Sequence, residues 1–252
     1  MKTLLEIKDS FIDKLIIIRT FYMSSLIENE LANNLIEKNK HDGTALKSKY
    51  RSVDDKFIFG QGITWNLNTE VEVNECIYMI TRNNEKTKML INLLTINLCS
   101  AFESFLFDLL EYHLRNFPEY INNSQKSVKL QEVFKFNSID DVKEDLIVRE
   151  IIDYGYYSLD KQITMLEKNY KVEFSFRSEI RIARRIFTKR NCIVHNQGIV
   201  SKELFEMFID EQKSRNIIGD PINTSEFEFS EEIHLLNLMG TRIIRTISDK
   251  NF

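Results

Sequence analysis

Lys189-Arg190-Asn191-Cys192-Ile193-Val194-His195-Asn196-Gln197-Gly198 sets an arginine, two asparagines and a histidine around a short apolar run that closes on a glycine. Four residues separate Arg190 from His195. On a helix Asn191 and His195, four apart, share one face, and Arg190 stands about 140° from His195, within reach of a long side chain. A guanidinium does not deprotonate in proteins, whereas an imidazole titrates near neutrality. That pair suits phosphoryl transfer on RNA, whose 2′-hydroxyl is its own nucleophile. Strand scission then needs a general acid or base and a cation that follows the phosphate charge into the transition state. His195 can serve the first need and Arg190 the second, in bidentate fashion. Asn191 and Asn196 could orient the phosphate or the imidazole. No carboxylate cluster adjoins the stretch, so neither a Mg²⁺ site nor any cofactor is expected.

The same residues also have a purely structural reading. A histidine in the last turn of a helix is favoured there by the macrodipole, and an arginine can pair with an acid. Glu103, in Ala101-Phe102-Glu103-Ser104-Phe105-Leu106, is such an acid, flanked by apolar residues of a core helix. A buried acid needs a partner, and the basic segment from Arg185 to Arg190 can supply one. Spacing and charge alone leave helix terminus and active site both open.

The elements that must carry this stretch are helical. The chain has 252 residues, 43% of them hydrophobic and 29% charged, with only two prolines and seven glycines. Few breakers mean long helices, so an all-α fold in one domain spanning 1–252 is expected. Net charge is −4, which argues against a polycation that coats nucleic acid. Lys168 to Arg190 nevertheless holds eight basic residues against Glu173 and Glu179, leaving 26 basic and 36 acidic residues elsewhere, a net of −10. A basic island on an acidic body fits a local anionic ligand, with Arg181, Arg184, Arg185 and Lys189 extending an RNA-binding track; a solvated helix face fits it too. Cys76, Cys99 and Cys192 match no metal or redox spacing and read as reduced core thiols. The opening residues lack a signal-peptide core and Leu15–Ile18 is too short to span a bilayer, so a cytoplasmic protein with no membrane partner is expected.

In chain order, apolar residues at Leu4, Ile7, Phe11, Leu15, Ile18, Tyr22, Leu26, Leu31 and Leu35 predict a helix over 3–38, ended by His41-Asp42-Gly43. Residues 56–73, with Gly60 and Gly62, suggest a short β-hairpin or an extended loop. A long helix over 84–117 is expected to bury Met89, Leu93, Ile96, Leu98, Phe102, Phe105 and Leu109, and Pro118 to stop it. Residues 122–136 read as a connector. Ser138, with Asp141 three residues on, opens a helix that buries Val142, Leu146 and Ile151 and that Tyr154-Gly155-Tyr156-Tyr157 breaks. A short helix covers Leu159 to Tyr170. Ser175 or Ser178 caps the helix that carries Arg190 and His195, and Gly198 stops it in the left-handed conformation. A short helix follows Ser201, and Ser230 caps the last one, through Ile233, Leu236, Met239, Ile243 and Ile247.

Arg190-Asn191-x-x-Val194-His195-Asn196-x-Gly198 resembles the signature of the HEPN superfamily of all-helical RNA-associated proteins: an arginine, a polar residue, and a histidine shortly after. The helix with Ala101-Phe102-Glu103-Ser104-Phe105 resembles an earlier core helix of the large HEPN proteins of bacterial abortive-infection and toxin–antitoxin systems. The resemblance covers about residues 84–200. It implies a metal-independent endoribonuclease in which Arg190 and His195 are catalytic, Asn191 positions, and Glu103 and Asn196 support. It implies tRNA or mRNA as substrate and a 2′,3′-cyclic phosphate or 3′-phosphate product. Two chains would face each other in a homodimer across a composite cleft, since His41, His113 and His234 have no arginine at the matching spacing. The resemblance equally allows a non-catalytic module that binds RNA or protein, partnered with an antitoxin or another defence protein.

Overall fold

The computed structural model describes residues 2–38, 56–59, 63–66, 83–117, 128–209 and 217–249. In chain order these form α1 (Leu4–Lys38), β1 (Lys56–Phe59), β2 (Ile63–Asn66), α2 (Asn83–Asn116), α3 (Leu130–Val133), α4 (Ile139–Tyr154), α5 (Leu159–Tyr170), α6 (Arg177–His195), α7 (Lys202–Ile209) and α8 (Glu226–Ser248). The fold is predominantly α-helical, as the scarcity of breakers predicts. Of the short hairpin or extended loop expected over 56–73, the described residues 56–59 and 63–66 form a short antiparallel pair, Phe57 opposite Trp65 and Phe59 opposite Ile63. His41-Asp42-Gly43, Cys76, Val71 to Val73 and Pro118 lie outside the described residues.

The described chain divides into two compact units. One comprises 20–91, with the second part of α1, the strand pair and the start of α2. The other comprises 1–19 and 92–252 and carries the Arg190–His195 stretch.

In the second of these units the core is built on α2. Leu94, Leu98, Phe102, Phe105 and Leu109 recur at intervals of three and four and are buried, so one stripe of the helix faces inward throughout. From α1, Ile7, Phe11, Leu15 and Ile18 are buried too, and Phe11 stacks on Phe105 with ring centroids 4.6 Å apart. From Thr87 to Asn116, α2 is long and apolar enough to cross a membrane, and half of its most apolar window is buried inside the protein. Met89 and Leu93 do not face inward as expected; they are 61% and 49% exposed. Leu93 falls in register with Asn97, Ser100 and Ser104, on the polar side of the helix, so helical phase overrides its hydrophobicity.

Three other expectations are corrected. Neither Ser175 nor Ser178 caps α6: its N-cap is Phe176, with no side-chain cap bond. Phe174 and Phe176 stack at 5.3 Å, and the Glu167 carboxylate accepts from the Phe174 backbone N–H (2.7 Å) and from Arg177 (2.8 Å), so packing sets the start. Ser225 caps α8 in place of Ser230, its hydroxyl accepting from the Glu228 N–H at 3.1 Å. In α4, Ile147 and Tyr154 are buried alongside Val142, while Leu146 and Ile151 are only half-buried. The Ser138–Asp141 capping box that opens α4 is present in both directions.

Candidate functional site

The stretch from Arg190 to Gly198 forms the last turns of α6 and the turn that ends it. That helix is amphipathic, burying Ile180, Ala183, Ile186, Phe187 and Cys192. Its end is sharp because Gln197 (φ 54°) and Gly198 (φ 73°) turn left-handed, letting the N–H groups of Asn196 (2.9 Å) and Gly198 (3.0 Å) both donate to the Cys192 carbonyl. The Asn196 amide donates to the Ile199 carbonyl at 2.9 Å. The chain is then fastened to residues 217–222: Ile199 bridges Pro221, and the Ile222 N–H donates to the Gly198 carbonyl at 2.7 Å. Beneath lies a small core of Cys192, Val200, Leu204 and Ile222. His195 is therefore held by a closed turn over a packed base.

Arg190 is anchored across the seam between α6 and α2. Its Nη2 donates to both Glu103 oxygens at 2.9 Å, and its Nη1 donates to Asn191 Oδ1 at 3.0 Å. The two charged side chains are 22% and 28% exposed, so the pair is sheltered but reachable. The sequence expectation that Glu103 meets the basic segment holds at Arg190. Asn191 and His195 are both exposed, and His195 makes no hydrogen bond to the described residues.

The expected track of Arg181, Arg184, Arg185 and Lys189 is not one surface. Arg181 is exposed, and Arg184 is exposed but bonded to Asp160 at 2.6 Å. Arg185 and Lys189 are buried, at 3% and 1% exposure, and cannot present charge to a ligand at that face. The Lys189 ammonium donates to both carboxylate oxygens of Glu232 on α8 and to Thr224 Oγ1. Helical rotation of 100° per residue explains the split: Lys189 turns to α8 and its neighbour Arg190 to α2. Burial holds the Glu232 carboxyl above the usual carboxylate range, with Lys189 opposing the shift. Burial likewise pushes the Cys99 thiol up, with Arg190 opposing. Cys99 and Cys192 are free and buried, as read from the sequence; Cys76 lies outside the described residues.

Apart from Glu103, sequence reading missed the α2 side of the seam. Leu93, Ile96, Ser100 and Glu103 step three and four residues along α2, and Glu103 fixes that row beside Arg190. Asn92 marks its other end near the turn: a Cβ at Gly198 would stand 3.9 Å from the Asn92 amide nitrogen. Val194, next to His195, is 46% exposed. Val194 on α6 and Leu93 on α2 are thus exposed apolar side chains on the two helices that meet at the seam.

The chain matches no family model, no curated protein and no solved structure. What the fold and site define is an all-α protein with an arginine anchored at a helix seam and a histidine open at the helix end. The likeness to HEPN proteins rests on the motif residues.

Proposed function

We propose that this chain is a metal-independent endoribonuclease of the HEPN kind, cutting single-stranded RNA in phage defence or toxin–antitoxin growth control. The observation that carries this reading is the Glu103–Arg190 pair beside an open His195. Two carboxylate contacts and one amide contact fix the guanidinium without enclosing it, while the imidazole faces solvent. His195 removes the proton of the 2′-hydroxyl, whose oxygen attacks the adjacent phosphorus. The P–O5′ bond breaks, and the leaving oxygen takes a proton from an imidazolium. The products are a 2′,3′-cyclic phosphate and a 5′-hydroxyl. Arg190 stabilises the charge gathering on the phosphate oxygens. One chain carries one such motif, so a homodimer supplies the second imidazole, and the exposed Val194 and Leu93 suit a face that covers another copy. Exposed Arg181, with Arg184 near it in sequence and held by Asp160, adds positive charge for the phosphate backbone.

A second reading has its own observation. The contacts that fix Arg190 also consume three of its donor interactions, which suits a structural bridge in a non-catalytic module that partners an antitoxin or another defence protein. Cleavage of labelled RNA in EDTA separates the two. Wild type is expected to cut, and His195→Ala and Arg190→Ala to lose about 10²-fold or more in rate with helicity unchanged. Undiminished cutting in both variants removes the assignment; an intact wild type that binds RNA or a partner without cutting selects the module.

A further inference from the structure

α1 carries two apolar stripes and buries only one of them. Ile7, Phe11, Leu15 and Ile18 turn inward, whereas Leu5 and Ile16 are 63% and 54% exposed and Ile12 is half-buried. Leu5, Asp9, Ile12, Ile16 and Arg19 follow one another at intervals of four, three, four and three. That is the spacing of a coiled-coil stripe, so the five share the outer side of the helix. All of them belong to the unit of residues 1–19 and 92–252. Asp9 and Arg19 are exposed, and neither side chain is held by an ion pair or hydrogen bond to the described residues. Their order is symmetrical about residue 14: Ile12 and Ile16 stand two positions to either side of it, Asp9 and Arg19 five.

We propose that this outer stripe pairs with the same stripe of a second copy, antiparallel, about a two-fold axis beside residue 14. In that register Asp9 of each copy faces Arg19 of the other, and Ile12 faces Ile16. A two-fold contact uses one patch on both sides, so each of these pairs forms twice. The isoleucines leave water at the centre, and an ion pair closes each end. Charge selects the direction. Parallel pairing sets Asp9 against Asp9 and Arg19 against Arg19, and facing like charges suppress a wrong arrangement. The complement that the stripe requires is thus its own sequence read backwards, which a second copy supplies. The contact lies on α1, not at the seam between α2 and α6, and it stands whether or not this chain cuts RNA. One pair of short helical stripes is a small interface, so the association is weak and depends on concentration.

Sedimentation equilibrium of the whole protein at low salt, over a range of micromolar concentrations, tests it. Asp9→Arg and Arg19→Asp each create two like-charge pairs and are expected to weaken the association about tenfold or more. Asp9→Arg/Arg19→Asp exchanges the charges and is expected to restore it. Ile16→Glu is expected to abolish it. These positions face outward, and circular dichroism checks that helicity is unchanged. The same series in a Leu93→Asp/Val194→Asp background, which removes the apolar residues proposed to cover another copy at the seam, keeps the two contacts apart. Association that persists there and follows the charge series belongs to α1. Association indifferent to the single reversals, a double reversal that fails to restore it, or a monomer at every concentration overturns the proposal. A monomer that co-sediments with phosphatidylglycerol vesicles overturns it as well and assigns the stripe to a membrane surface.

Discussion

Lys189 and Arg190 are adjacent cations with different tasks. Arg190 keeps part of its guanidinium within reach of solvent, whereas the Lys189 ammonium is enclosed with Glu232, both nearly without exposure. Removing one partner of a buried ion pair leaves an uncompensated charge, at a cost of about 3–5 kcal/mol. Lys189→Met is therefore expected to lose stability of that order in urea denaturation at pH 7, and the double variant Lys189→Met/Glu232→Leu to recover most of it. The pH response has a definite sign. Burial raises the Glu232 carboxyl above 4.5 in the folded protein, and loss of Lys189 removes the opposing influence. A raised carboxyl binds its proton more tightly in the folded state. Its contribution is complete below the unfolded value and lost as pH rises through the folded one. The Lys189→Met deficit should shrink as pH falls from 7 towards 5; a deficit that grows with acid contradicts the account. Glu232 was legible in part, because it lies three residues after Phe229 and four before Leu236, both buried. An acid in the inward register of a helix announces a buried partner, but not which one.

At the scale of elements, hydrophobic spacing placed α1, α2, α5 and α8 well because the core reads only their periodicity. Starts and ends depended on subtler cues. Ser225 is followed three residues later by Glu228, the capping-box pattern, whereas Ser230 is followed by Ile233. The sequence thus held the signal for the true cap of α8. The start of α6 held none, since Glu167 and the Phe174–Phe176 stack act from outside the helix. Ser225→Ala is expected to cost about 1 kcal/mol, and Ser230→Ala to stay within about 0.5 kcal/mol of wild type, both by thermal unfolding. Gly198 ends α6 at a positive φ with room for a methyl group, so Gly198→Ala carries conformational strain alone, about 1 kcal/mol. Gly240 is the opposite case. A Cβ there would lie 2.5 Å from the Phe11 ring, so Gly240→Ala must push α1 away from α8, at about 1–3 kcal/mol.

For the whole molecule, charge on the page and charge on the surface differ. Eight basic residues between Lys168 and Arg190 suggest a polyanion track, yet Lys189 and Arg185 are buried and Arg177 and Arg184 are bonded to acids. The sequence could not disclose this, because those pairings join residues 10 to 43 positions apart. RNA binding at the proposed site is thus expected to depend weakly on salt. With Arg181, Arg184 and Arg190 as contacts, the slope of log K against log salt is about −2 per chain for a single strand. A slope of about −3.5 would mean that the two buried cations are reached after all. Light scattering is expected to give a dimer, and a fully active monomer would refute the composite cleft.

The paired grips of Lys189 on α8 and Arg190 on α2 have a mechanical consequence. A helix clasped from two sides by consecutive residues cannot roll about its own axis without releasing one clasp as it strains the other. Any ligand or partner that shifts α6 must therefore slide it lengthwise or carry the neighbouring helix with it. The bearing of His195 around the helix axis is fixed before any ligand arrives.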